Sequence, residues 1–399
     1  MVTVEQTKLE ELKKKTKGTY VDALTFMIEA SGLTTGVEVE VTDDNPTITG
    51  KTAYTLTFKG RANETYKYQE LDAQGIPTGN ESTIFTDGDG KATITGLKKA
   101  TPYQISHKKY GSVNGKTALV DAKDIAKQFA DDGDQTTTNG KTDKDEKASN
   151  NNVDVVVDAD GNYKVIVKKD IDHTVEIPDT WGEVKIDLND KTITGDKADD
   201  NNEAKPGLEF VKDVNSNEHP GTNLEIVNGT IKGGDGSAKH PDGAPGIGAS
   251  GDTADAGIII GNNANVIGGN GANGTEGKDG GNGGAGIDGN GKITPTVNGT
   301  VTGGNGGKGG DSAVGIPGNG GNGGTGISAD NKTITINPGG TVKGGDAGSG
   351  GNATGDNTNP GGNGGNGGTG TETTQPGKTD NNGGTTSGGN GGDGGNSNN

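Results

Sequence analysis

The sequence predicts a mainly β, modular chain whose second half is built from stacked repeats. Three observations predict it. Ile and Val number 49 against 11 Leu, a bias toward strands. Of the 79 Gly, 17 lie in residues 1–200 and 62 in residues 201–399. No aromatic residue follows Phe210, so the second half must build any core without large side chains.

Bulk composition alone points elsewhere. Leu, Ile, Val and Phe sum to 65 of 399 residues, and the formal net charge is -19. Few aliphatics with a high net charge is the composition of a disordered chain. The placement of the residues, taken segment by segment, argues for order.

Residues 1–33 are expected to be a helical anchoring segment. Leu9 and Leu12 are spaced i, i+3, and Tyr20, Val21, Leu24, Met27 and Ile28 fall on one helical face, with Gly32 as a stop. Leu9, Leu12, Tyr20, Leu24, Met27 and Ile28 are the candidate assembly anchor.

Residues 34–130 are expected to be a small β-sandwich with a flanking helix. Val37, Val39 and Val41 alternate with polar residues, as do Tyr54, Leu56 and Phe58. Asp72-Ala73-Gln74-Gly75 and Asp87-Gly88-Asp89-Gly90 are turn clusters. The run Thr86 to Leu97, followed by Thr101-Pro102-Tyr103, resembles the closing hairpin of prealbumin-like, fibronectin-type-III-like and immunoglobulin-like modules. That resemblance implies a sandwich and no particular activity. Asp124 to Ala130 is the expected helix. Residues 131–152 hold no Leu, Ile or Val and predict a disordered, solvated linker.

Short β-branched runs recur over residues 153–232. Lys185 to Gly195 and Asn223 to Gly234 are similar to rungs of right-handed parallel β-helices of the pectate-lyase-like kind. The same grammar continues through residues 233–371. Asn228-Gly229-Thr230-Ile231 recurs in variant form around Val266, Val301 and Val342. A second marker, Gly-Ile, falls at Ile247, Ile287 and Ile327. Two phase-locked markers signal stacked repeats. Ile231, Val266, Val301, Val342, Ile247, Ile287 and Ile327 are the expected repeat core. Between them lie glycine runs with a period of three, the period of a polyproline-II-like helix. Side by side, such runs can pack as a polyglycine-II-like layer; alone, they would be flexible loops. Residues 372–399 lose the markers and are expected to be a flexible tail.

Several functions are disfavoured. The acidic balance argues against nucleic acid. Without Cys there is no thiolate chemistry. No apolar run reaches the ~20 residues of a membrane span. The four His show no metal-ligand spacing, and Gly306 to Val314 fits a calcium nonapeptide poorly. Arg61 is the only Arg, which removes the Arg base of many β-helix lyases. Asp187, Asp190 and Asp196 remain as a carboxylate set for a hydrolase, the least favoured reading. The expectation is therefore no enzyme and no cofactor.

The glycine-rich part resembles polyglycine-II layers in tail-fibre adhesins of T-even-like phages. That resemblance implies a structural or adhesive virion protein at the particle surface. Its partners would be other virion proteins, through the N-terminal segment, and host-surface polysaccharide. A homo-oligomer, trimers included, is compatible. Those adhesins carry aromatic-rich distal loops, and residues 211–399 have no aromatic. Met1 to Lys15 has no secretory-signal pattern, which fits a phage protein released by lysis. The alternative is a bacterial cell-surface adhesin with a β-helix stalk.

Overall fold

The computed structural model describes residues 2–3, 18–28, 33–41, 45–131, 136–138 and 147–397. The chain is mainly β. Among the described residues the one helix is Ala122–Lys127. Two compact units are present. The first comprises Met1–Thr49, Thr57–Ile94 and Pro102–Gly115; the second comprises Gly50–Leu56, Thr95–Thr101 and Lys116–Asn399.

The first unit corrects the helical expectation for the N-terminal segment. Gly18–Ile28 is a strand, paired antiparallel with Leu33–Val41 and with Val2–Thr3. Tyr20 faces Val39, Leu24 faces Val37 and Ile28 faces Leu33. Met27 faces Thr3. The physical reason is the residue types. Thr19, Tyr20, Val21, Thr25, Phe26 and Ile28 favour strands, and pairing with an alternating partner outweighs a helix-like spacing of apolar residues. Leu9 and Leu12 lie outside the described residues. Leu33–Val41, expected in the sandwich, belongs instead to this separate three-stranded sheet.

Two further sheets run through residues 47–116. One has the order Gly111–Lys116, Pro102–His107, Thr65–Leu71, Pro77–Phe85; the other has Thr47–Lys51, Leu56–Lys59, Lys91–Ile94. Phe58 and Tyr66 are fully buried and meet edge to face at 5.1 Å. The Asp87 turn closes on itself, its carboxylate accepting the N–H of Asp89 and Lys91 at 2.9 and 2.8 Å. Leu97 and Tyr103 are both buried.

The short helix lies near the start of the second unit's long stretch, Lys116–Asn399. Asp121 caps it by accepting the N–H of Lys123 and Asp124. Ala122, Ile125 and Ala126 are buried. The helix starts before and stops before the expected Asp124–Ala130. Part of the expected linker is paired. Thr137–Thr138 joins Ala148–Ser149, which joins Val153–Val157. Asn150 and Asn152 are buried and donate to the carbonyls of Ala126 and Phe129 at 2.7 and 2.6 Å. Their polarity misled the reading: a buried Asn that finds carbonyl acceptors is structural. Residues 132–135 and 139–146 lie outside the described set.

From Tyr163–Val167 onward the pairing is parallel, and the chain winds in successive coils. Each coil adds one residue to each of three columns. Column one runs Ile193, Ile231, Val266, Val301, Val342. Column two runs Val175, Leu208, Ile247, Ile287, Ile327. Column three runs Val165, Ile186, Ile226, Ile260, Val297, Ile336. All of these side chains are fully buried, each contributing about 1.5–3 kcal/mol. Asn228 and Asn263 sit in the left-handed region at φ 58° and 59°. Asn tolerates that bend better than other L-residues, so it turns the chain just before Ile231 and Val266; before Val342 the bend falls at Gly339, at φ 90°.

The expected tail is also corrected. Thr371–Glu372, Thr379–Asn381 and Thr385–Ser387 pair in register with the preceding coil. Thr371, Asn381 and Thr386 continue the three columns. Polar residues replaced the aliphatic markers there, but the coil is retained.

Candidate functional site

The structural feature that sets this chain apart is what the glycine runs do. Two rows of extended segments flank the columns. The first row is 233–236, 268–276, 303–311, 344–352 and 388–396. The second is 243–246, 280–286, 318–326 and 361–370. They are joined by backbone hydrogen bonds that repeat every three residues. The first glycine of a triplet donates to the next segment of its own row: Gly303 to Lys343 O at 2.9 Å, Gly283 to Asn322 O at 2.9 Å. The second glycine donates to the other row. Gly284 donates to Gly269 O, Gly304 to Gly284 O, Gly324 to Gly304 O and Gly345 to Gly324 O, all at 2.7–2.8 Å. Parallel chains of such bonds run through Gly281, Gly307, Gly321 and Gly348, and through Gly310, Gly318 and Gly351.

Close approach makes glycine obligatory at these points. A Cβ on Gly304 would overlap the carbonyl oxygen of Gly269, and one on Gly345 would overlap that of Gly304. The Gly-Ile marker has a related cause. A Cβ on Gly246, Gly286 or Gly326 would strike the side chain of Val266, Val301 or Val342. The two sequence markers are phase-locked because they touch.

The third residue of each triplet points outward and is usually Asn or Asp. Its side-chain oxygen accepts the backbone N–H of the equivalent residue one coil on. Asp235 accepts from Asn270 at 2.8 Å, Asn270 from Asn305 at 3.0 Å, Asn305 from Asp346 at 2.9 Å and Asp346 from Asn390 at 2.8 Å. A second ladder runs Asp242, Asn282, Asn322, Asn366. All three N–H groups of a triplet are thus satisfied, as close-packed backbone requires. Sequence reasoning assigned these Asn no structural role. The usable signal was their recurrence at the same phase as the markers.

The ladder carboxylates are electrostatically set. The Asn352 N–H, with Lys308, holds Asp311 below the usual carboxylate range. The Asn390 N–H does the same for Asp346 against slight desolvation, helped by Lys343. At Asp235 burial pushes the carboxyl up, but the Lys232 ammonium at 2.9 Å and the Asn270 N–H outweigh it.

The other chemical candidates are dispersed. Asp187 is 2.8 Å from Lys164 and accepts from Asn189 N–H and the Asn228 side chain. Burial pushes its carboxyl up, and those partners pull it below the usual range. Asp190 occupies a left-handed bend at φ 59°. Asp196 lies 4.0 Å from Lys205. Among the described residues no group of three or more His, Asp and Glu is placed to hold a metal ion. The most buried carboxylate among the described residues is Asp179, 2% exposed. It takes the N–H of Asp213 and Ala254 and lies 2.9 Å from His219, tying successive coils together. The run Gly306 to Val314, a poor fit to a calcium nonapeptide, is divided: Gly306 to Asp311 lie in the lattice, and Val314 is exposed.

One open groove lies on the outward face of the parallel sheet, about 440 Å3, lined by Asp158, Asp160, Glu183, Lys185, Glu225 and Ile259 among others. Lys185 pairs with Glu225 at 3.0 Å, and Asn223 donates to Glu183 at 2.8 Å. The groove is dense in hydrogen-bond acceptors and donors around the exposed Ile259. Of the expected anchor, Tyr20, Leu24, Met27 and Ile28 share one strand. The expected repeat core falls into columns one and two. Comparison with known proteins finds no family model and no curated protein that matches the chain.

Two predictions follow from the lattice. Gly304→Ala should cost at least about 1–3 kcal/mol in denaturant unfolding, the range for overpacking a filled site. Asn305→Ala, which removes only a ladder acceptor, should cost about 1 kcal/mol. Equal effects would contradict the steric account. Acid should also destabilise the lattice. Carboxyls held below 3.8 when folded bind protons more readily in the unfolded chain, so their stabilisation is present above pH 3.8 and lost as pH falls through their folded values. The thermal midpoint should fall over that window, and less steeply in Asp346→Asn; an unchanged slope would count against the ladder.

Proposed function

We infer that the chain is a non-enzymatic structural and adhesive protein of a bacteriophage particle, exposed on the virion surface. The carrying observation is the lattice. Much of the second unit is backbone packed on backbone, a construction that makes a stiff, polar, aromatic-free body and leaves few side chains for chemistry. Of the carboxylates a hydrolase would have used, Asp187 is engaged in structural bonds, by Lys164 and two further donors.

Finer fold assignments belong to this reading. The parallel coils are a right-handed parallel β-helix that continues as a polyglycine-II-like lattice. The two sheets of residues 47–116 are an immunoglobulin-like or prealbumin-like spacer. The N-terminal part attaches the chain to other virion proteins, through a hairpin that includes Gly18–Ile28 in place of the helix first expected. Host-surface polysaccharide is the proposed ligand. The acceptor-rich groove around Ile259 supports it.

Antibody labelling of purified particles tests the assignment. The proposal expects label on intact virions. Label on the envelope of the producing cells, with none on particles, would instead favour the cell-surface adhesin. Absence from particles would overturn the virion role.

A further inference from the structure

The two rows of the lattice differ in a way that packing does not require. Close approach favours glycine at the first two positions of a triplet, so the outward third position is the one free to vary. In the first row that position takes Asp235, Lys308, Asp311, Asp346 and Asp393. Second-row segments 280–286, 318–326 and 361–370 carry no Asp, Glu, Lys, Arg or His, in a chain that is 23% charged. Their outward residues include Asn282, Asn319, Asn322, Asn363 and Asn366, all exposed. Asp242 and Asp279 head the two Asn columns and stand at the margin of this face.

The ladder bonds fix how these amides are oriented. The side-chain oxygens of Asn282, Asn319 and Asn322 accept the backbone N–H of Asn322, Asn363 and Asn366 at 3.0, 2.9 and 2.8 Å. A backbone N–H must meet oxygen, so the other branch of each amide is the nitrogen. The Nδ2 groups of Asn282, Asn319 and Asn322 have no partner among the described residues. Each amide keeps two free donors against one remaining lone pair. The result is an uncharged array in which donors outnumber acceptors. Along a segment the amides recur every third residue, roughly 9 Å apart for a polyproline-II-like rise.

We propose that this second-row face is a docking surface for a neutral polysaccharide. The inference rests on the polysaccharide reading above and adds a second surface to the groove around Ile259. Uncharged amides cost less to strip of water than carboxylates or ammoniums, so this row is the easier of the two to cover. Donor excess selects a partner rich in acceptors, as hydroxyl and ring oxygens are. A second copy of the chain does not fit, because it would bring the same donor excess face to face. A polyanion offers acceptors but meets a chain of net charge -19. The array extends over several coils and more than one triplet, so a polymer engages several amides together and a single sugar engages few.

Affinity electrophoresis of the 399-residue chain tests it, in native gels holding dextran, mannan or polygalacturonate. The expected result is retardation by a neutral polymer, stronger for long chains than for short ones, and none by polygalacturonate. Asn319→Asp combined with Asn322→Asp removes both Nδ2 groups and keeps the ladder acceptors, a role that Asp279 and Asp242 already fill. In the neutral gel this pair should weaken binding at least about tenfold, equivalent to 1.4 kcal/mol, with the melting curve unchanged. Asn305→Asp, the same change on the first row, should leave retardation as it was. If the double variant melts early, wild-type NMR replaces it: the side-chain amide signals of Asn319 and Asn322 should shift as the neutral polymer is added, and that of Asn305 should not. Neutral-polymer binding that ignores the double variant, that Asn305→Asp weakens equally, or that leaves those signals unmoved would overturn this face and leave the polysaccharide reading standing. Retardation by polygalacturonate alone would do the same. No retardation by any polymer would overturn both.

Discussion

The second half of the molecule depends on one interaction: a backbone N–H to carbonyl hydrogen bond between segments that carry no side chain at the point of contact. A single such bond contributes only about 0.5–1.5 kcal/mol net. Here the bonds are repeated through coil after coil, and each closes a gap that a Cβ would have forced open. The cost is entropic, since ordered glycine loses more backbone freedom than any other residue. The lattice offsets that cost by satisfying all three N–H groups of a triplet, two through carbonyls and one through the Asn or Asp ladder. The aliphatic columns complement it. They align successive coils, so the glycine segments meet in register.

The coupling between the two systems explains the repeat's grammar. Val266, Val301 and Val342 lean on Gly246, Gly286 and Gly326, and each of those glycines precedes a column-two Ile. A change of register in one would misplace the other. Lys232, Lys308 and Lys343 stand three residues before Asp235, Asp311 and Asp346 and pair with them at 2.9, 3.1 and 3.6 Å. The Lys308 and Lys343 pairs are exposed to solvent and screened, so their individual energies are small; the Lys232 pair is half-buried. Their placement helps keep Asp235, Asp311 and Asp346 charged.

Much of this was legible in residue placement, and the misses have physical causes. The column residues were visible because a buried aliphatic in a glycine-rich run has no other explanation. The N-terminal strand was misread because Tyr20, Leu24, Met27 and Ile28 satisfy a helical spacing by coincidence, while their β-branched and aromatic neighbours favour a strand. The coil at 371–397 was missed because Thr371, Asn381 and Thr386 keep the register and lose the apolar signature. The Asn ladder was missed because its hydrogen bonds join residues 35–44 positions apart, and nothing local distinguishes an Asn in a ladder from one in a turn. The buried Asn150 and Asn152 illustrate the same blindness: polarity was visible, while the carbonyls that satisfy it were not.

The account stands or falls on whether the glycine amides are hydrogen-bonded inside a packed lattice. Residue-resolved hydrogen exchange measures this directly. The account predicts strong protection at Gly284, Gly304, Gly324 and Gly345, comparable with that of the column residues Ile287 and Val301. Exchange of those four glycines at the rates of an unstructured peptide, with the columns still protected, would contradict it and leave the runs as loops hung on a conventional core.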